Sequence, residues 1–111
     1  MEKDMQIIQG DTCYLTITKL DDEGDQSDFE NGEVVVFSAK KNLKQEDYDI
    51  HSENATLIDG QMIIRLSSQD TNIKLGEYYY DIQYTDLAGD IYTLVKGTLE
   101  ITWEVTNEWM M

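Results

Sequence analysis

Side-chain chemistry needs a reactive group and a neighbour that tunes it, and this sequence offers few candidates. His51 is the sole histidine, set in the polar stretch Asp49-Ile50-His51-Ser52 with no serine-nucleophile elbow and no metal-ligand companion. It reads as a surface histidine. Cys13 is the sole cysteine, which excludes an internal disulfide and argues against a thiolate metal site. The run Asp21-Asp22-Glu23-Gly24-Asp25-Gln26-Ser27-Asp28 is the densest group of oxygen ligands, yet an EF-hand loop opening at Asp21 would need glycine at its sixth position and glutamate at its twelfth. Those positions hold Gln26 and Gly32, so a solvated acidic loop is the better reading. A glycosidase-type acid pair requires a cleft and one raised pKa. Asp81, flanked by Tyr80 and Ile82, is the least ordinary acid, and strand parity turns it outward. No phosphate-cradling glycine loop occurs. These residues predict no enzyme, no cofactor and no metal site.

Charge and length set the next limits. The chain has 111 residues, with 8 basic against 23 acidic side chains and a net charge of −15. Such a length fits one domain that buries roughly two-thirds of its unfolded surface without help from a disulfide or metal. The acidity repels phosphate backbones, so ordinary nucleic-acid binding is disfavoured. It serves solubility, or else complements a basic partner or imitates DNA. The start Met1-Glu2-Lys3-Asp4 lacks a signal-peptide pattern, and nothing approaches the ~18 apolar residues of a membrane helix. The expectation is a soluble protein made in a reducing cytoplasm, with no membrane partner.

Those side chains are positioned by strands. The longest alternation is Leu75-Gly76-Glu77-Tyr78-Tyr79-Tyr80-Asp81-Ile82-Gln83-Tyr84, which sends Tyr78, Tyr80, Ile82 and Tyr84 to one face and Glu77, Tyr79, Asp81 and Gln83 to the other. Cys13, Leu15 and Ile17 alternate inward, after Gly10-Asp11 and a short strand around Gln6-Ile7-Ile8. Glu33 to Lys41 reads as a central strand through Val34-Val35-Val36-Phe37. The lysines of Lys40-Lys41-Asn42-Leu43-Lys44 read as relief of self-repulsion without a function, and a weak strand follows around Tyr48 to Ile50. Asp59-Gly60 between apolar segments predicts a tight hairpin with Met62, Ile64 and Leu66 inward. Ser67 and Asp70 stand at capping-box spacing. Gly97 predicts a bulge or kink, and beyond it Leu99, Ile101, Trp103 and Val105 alternate inward.

Short strands with turn signals between them and no helix-period segment predict an all-β sandwich or barrel of about seven to nine strands. Residues 1–105 form the domain and 106–111 a tail. Trp109, Met110 and Met111 end that tail as an apolar triplet suited to docking on a partner. Folding back over an open end of the domain is the equal alternative.

Tyr78, two residues past Gly76 at a strand entry, resembles the corner tyrosine of immunoglobulin-like sandwiches, whose hydroxyl ties back to the preceding turn. A wider set of motifs stands in order: Gln9-Gly10-Asp11-Thr12, Asp28-Phe29 to Gly32 before the valine-rich strand ending Lys40-Lys41, Asp59-Gly60, Ser67 to Thr71 before Leu75-Gly76-Glu77-Tyr78-Tyr79-Tyr80-Asp81-Ile82, and Gly89-Asp90-Ile91-Tyr92-Thr93-Leu94-Val95-Lys96-Gly97-Thr98. The set, covering about residues 7–105, resembles the N-terminal domain of phage baseplate upper proteins and related virion modules. The resemblance implies an immunoglobulin-like antiparallel β-sandwich in a tailed bacteriophage virion. It would be made in the host bacterial cytoplasm and dock in multiple copies on a capsid, tail or baseplate protein. No fibre region follows the domain, so decoration or adaptor work is expected. An acidic DNA mimic that inhibits a DNA-binding protein is the alternative. A third reading is sugar binding on exposed Tyr79 or Tyr92, which requires an aromatic-lined groove.

Overall fold

Apolar residues recurring at every second position impose strands throughout the molecule. The computed structural model describes residues 2–103; the expected tail, with Trp109, Met110 and Met111, lies outside the described residues. Ten strands and no helix occur among the described residues: β1 (Met5–Ile8), β2 (Cys13–Ile17), β3 (Lys19–Leu20), β4 (Gln26–Ser27), β5 (Val34–Lys40), β6 (Ile50–Ser52), β7 (Ala55–Ile58), β8 (Gln61–Leu66), β9 (Gly76–Thr85) and β10 (Ile91–Thr102). The all-β expectation therefore holds.

A five-stranded sheet runs in the order β1-β10-β9-β5-β6, and a three-stranded sheet in the order β2-β8-β7. Strands β3 and β4 form a separate two-residue ribbon around the acidic loop. One core cluster draws on both larger sheets. Val35, Phe37 and Ala39 of β5 meet Met62, Ile64 and Leu66 of β8, with Tyr78, Tyr80, Ile82 and Tyr84 of β9 and Leu99 and Ile101 of β10 all buried. The tyrosine row is inward as its parity dictates. Phe37 stacks on Tyr80 with centroids 5.5 Å apart, and Phe29 meets Tyr84 edge-on at the same distance.

Three local signals act as their chemistry requires. Asp59 and Gly60 adopt φ of 51° and 80°, the paired positive values that close a two-residue hairpin without splaying its strands. Ser67 and Asp70 exchange bonds: the Ser67 amide donates to Asp70 Oδ2 at 2.8 Å, and the Asp70 amide donates to Ser67 Oγ at 3.1 Å. The Tyr78 hydroxyl donates to the Lys74 carbonyl at 2.6 Å, tying the start of β9 to the turn before it.

Four expectations need correction. The larger sheet is mixed and not purely antiparallel, because β1 runs parallel to β10 with Met5 opposite Leu99 and Ile7 opposite Ile101. Gly97 does not make the bulge; the register slips between Thr93 and Val95 instead. Glycine is needed at position 97 for another reason, since a Cβ there would lie 2.1 Å from the Lys3 carbonyl oxygen. Trp103 leaves the alternation, because β10 ends at Thr102 and the indole is 65% exposed. Cys13 packs against the core only half-buried, and that burial pushes its thiol pKa up.

Candidate functional site

The inward face of the five-stranded sheet is occupied by core, so any site must use its outward face, an end or an edge. Register fixes what that outward face presents. Ser38 of β5 lies opposite both His51 of β6 and Asp81 of β9, Asp81 lies opposite Lys96 of β10, and Lys96 bridges to Glu2. One polar row therefore crosses the sheet from His51 to Glu2. A neighbouring row runs from Lys40 through Tyr79 to Thr98. On the other flank Gln83 sits between Val36 and Thr93.

Two walls turn this face into a groove of about 580 Å³. The first is the segment between β5 and β6, where Leu43 and Tyr48 stand 68% and 51% exposed beside the floor. Polar bonds hold this segment in place. The Lys41 amide and the Gln45 side-chain amide both donate to Asp49 Oδ2, at 2.7 and 2.9 Å, and Lys40 Nζ donates to the Gln45 carbonyl at 2.9 Å. Tyr48 stacks on His51 with centroids 4.6 Å apart, and Lys40 Nζ lies 4.9 Å from the Tyr48 ring centre. The second wall is the chain before β1. The Thr98 amide and hydroxyl both donate to Asp4 Oδ1, at 3.1 and 2.9 Å, and these bonds hold the Asp4 carboxyl below its ordinary pKa.

Floor residues differ in how far they are engaged. Lys96 faces Glu2 at 3.9 Å. Burial raises the pKa of Asp81, with Lys40 opposing the rise. Among the described residues no hydrogen bond reaches the side chain of Asp81 or Gln83, and no ring stacks on Tyr79. Tyr79 is 48% exposed. Tyr92 is different, because its ring stacks on Tyr84 at 6.1 Å.

His51 does have partners. Ser38 Oγ lies 3.0 Å from its Nδ1, and Glu53 Oε1 lies 3.5 Å from its Nε2. Those distances connect a hydroxyl, an imidazole and a carboxylate, yet acyl transfer also needs donors aimed at an oxyanion. Ser38 sits on a strand paired on both sides, so the ladders engage its backbone groups.

A second polar cluster lies at the opposite end of β9. The Tyr84 hydroxyl donates to the Glu33 carboxylate, Lys19 Nζ lies 3.3 Å from Glu33 Oε1, and the Glu30 amide donates to the same oxygen at 2.7 Å. Burial alone would raise the Glu33 pKa; the Tyr84, Glu30 and Lys19 bonds outweigh it and hold the carboxyl below its ordinary range. Tyr84 is driven strongly upward by burial and then by its bond to Glu33. Lys19 Nζ also lies 5.3 Å from the ring centres of both Phe29 and Tyr84. This cluster gave no sequence signal, since Lys19, Glu33 and Tyr84 are distant in the chain.

The acidic run folds as a turn. Asp21 Oδ1 accepts the Glu23 and Asp25 amides at 2.9 and 3.0 Å, so this carboxylate closes the loop itself. Among the described residues no group of three or more potential ligands is arranged to hold a metal ion. The Trp109, Met110 and Met111 docking segment lies outside the described residues. No family model matches the chain, and no curated protein matches it.

Proposed function

We propose that this chain is a non-enzymatic, immunoglobulin-like structural protein of a tailed-phage virion, docking on a capsid, tail or baseplate protein as decoration or adaptor. The observation that carries the reading is the order of its strands. With β2, β8 and β7 read as B, E and D, and β10, β9, β5 and β6 as G, F, C and C′, the order supports a two-sheet immunoglobulin plan with β1 added beside the last strand. Tyr78 then falls at the start of the F strand with its hydroxyl returned to the preceding turn, where that plan puts its corner tyrosine. The ordered sequence motifs that resemble baseplate upper proteins support the virion setting.

Docking would use surfaces left over by the core. Val34, Leu87 and Ile91 are 46%, 60% and 63% exposed at one end of the larger sheet, where Val34 and Ile91 both lie opposite Thr85. Burying such side chains supplies the non-directional part of association, and the edges at β6 and β7 can add a strand from a neighbour. The acidic surface keeps free copies apart before assembly. The DNA-mimic reading wants carboxylates at even intervals. Along β9 the outward sequence is Glu77, Tyr79, Asp81, Gln83, with Lys40 and Lys96 on the neighbouring strands, which favours docking.

Gradient-purified particles examined by mass spectrometry test the proposal. The protein is expected at stoichiometric copy number, and a variant lacking Glu108 to Met111 is expected to fold but to be under-represented. Its absence from particles overturns the virion reading. Full incorporation of the truncated variant removes the tail from the docking surface.

A further inference from the structure

We infer that the groove along β9 is a binding site for a neutral oligosaccharide, with Tyr79 as the stacking platform and Asp81 and Gln83 as partners for sugar hydroxyls. The site lies on the same outward face as the Val34 and Ile91 patch, one row along the strands from Gln83, but it uses different residues and does not depend on that patch.

The floor of the groove is a sheet face, which limits what can bind there. Strand β9 is paired on both sides, with β5 and with β10, so an extended peptide finds no free backbone groups to extend. A ligand must therefore be read by side chains alone. Tyr79, Asp81 and Gln83 are successive outward residues of one strand, and the two intervals between them span about 14 Å at ~3.4 Å per residue. That length suits a chain of several rings. Tyr79 presents an aromatic face that no ring covers among the described residues, and an aromatic face suits the C–H side of a pyranose, which is amphipathic as the tyrosine is. Asp81 and Gln83 supply acceptors and a donor that no hydrogen bond engages among the described residues, directly beside that platform, with Lys40 near enough to act on the Asp81 charge.

Charge selects within the class. Glu2, Asp4 and Asp81 outnumber Lys40 and Lys96 around the groove, and the chain carries −15 overall. Phosphorylated, sulfated and uronic-acid polymers meet a net repulsion here, and a neutral polyol does not. The groove is open and not an enclosed slot of the kind that usually holds a small aromatic ligand, since Tyr79 and Leu43 in its lining stand open to solvent. Preorganisation favours binding, because the wall that carries Tyr48 is already fixed through Asp49, Gln45, Lys40 and His51. Of the exposed tyrosines Tyr14, Tyr48, Tyr79 and Tyr92, Tyr79 alone both lines the groove and has no ring stacked on it among the described residues, since Tyr48 is stacked on His51 and Tyr14 lies elsewhere. Tyr92 is engaged with Tyr84 and lies outside the groove.

The test is titration of the ¹⁵N-labelled protein with cellotetraose, maltotetraose and chitotetraose, following amide shifts. At least one is expected to give saturable shifts confined to β9, the segment between β5 and β6, and the residues before β1. Tyr79→Ala should weaken that binding by about tenfold or more, equivalent to ~1.4 kcal/mol, with Tyr79→Phe close to the parent and Tyr92→Ala unchanged. Raising salt from about 0.05 to about 0.5 M should leave the affinity unaltered, because no ion pair is being screened. The inference is overturned if none of the three shifts groove residues at about 10 mM, where a millimolar site would be mostly filled. Saturation unaffected by Tyr79→Ala overturns it equally, and so does salt-sensitive binding of oligogalacturonate alone. Because the readout uses the isolated protein, loss of virion incorporation has no bearing on it, and the reverse is also true.

Discussion

The two ends of β9 solve the same problem with different electrostatics. Tyr78 and Tyr84 share a strand, a face and a buried ring, and each must give its hydroxyl a partner. At the entry Tyr78 donates to the Lys74 carbonyl, a neutral bond across one turn. At the exit Tyr84 donates to the Glu33 carboxylate, itself bonded to Lys19 and to the Glu30 amide. A neutral tie can be lost with little left behind. The charged cluster cannot be dismantled one member at a time, because each partner removed leaves another short of bonds in a dry place.

The largest break in this comparison should come from Glu33→Ala, which leaves the Lys19 ammonium, the Tyr84 hydroxyl and the Glu30 amide without their shared acceptor. We expect a loss of about 3 kcal/mol in urea unfolding, near the lower bound for breaking a buried pair. Tyr84→Phe should cost about 2 kcal/mol, as a bond to a charged acceptor. Tyr78→Phe should cost about 1 kcal/mol, as a neutral bond. Equal losses at the two tyrosines would mean that the charge at Glu33 contributes nothing.

Acid sharpens the same contrast. The Glu33 carboxyl is depressed in the fold, so its contribution is complete above its ordinary value of 4.5 and disappears as pH falls through the lower folded value. Thermal melting from neutral to acid pH should show that decline in the parent and in Tyr78→Phe, and a shallower one in Glu33→Gln. At the alkaline limit the sign reverses. Tyr84 is raised, so its share is complete below 10 and is lost as pH climbs above it. The smallest effect expected is at Asp81→Asn. Burial raises that acid, so removing its charge should lift the neutral-pH melting temperature slightly while weakening tetrasaccharide binding.

Legibility in the sequence followed the range of the interactions. Where two neighbours in the chain decide an outcome, the residues declared it: the Asp59-Gly60 hairpin, the Ser67 and Asp70 exchange, and the inward row from Tyr78 to Tyr84. Parity also placed Asp81 and Tyr79 outward together. What parity could not supply was the wall. Leu43 belongs to a run that read as charge relief around Lys40, Lys41 and Lys44, and Tyr48 to an expected weak strand that instead begins at Ile50; the bonds made by Asp49 and Gln45 hold the segment beside β9. The Lys19, Glu33 and Tyr84 cluster escaped for the same reason. Gly97 was legible as a special position, but its reason was not, since the carbonyl it accommodates belongs to Lys3. Trp103 misled because alternation has no marker for the residue at which a strand stops.

The parallel pairing of β1 with β10 sets the order in which this protein can mature. Met5 finds its partner at Leu99 and Ile8 at Thr102, a separation close to the whole described chain. During synthesis the first strand must therefore wait, with one side unpaired, until the last has left the ribosome. The three-stranded sheet and the β5 to β9 pairing can assemble earlier, but the larger sheet is completed only once β10 has emerged.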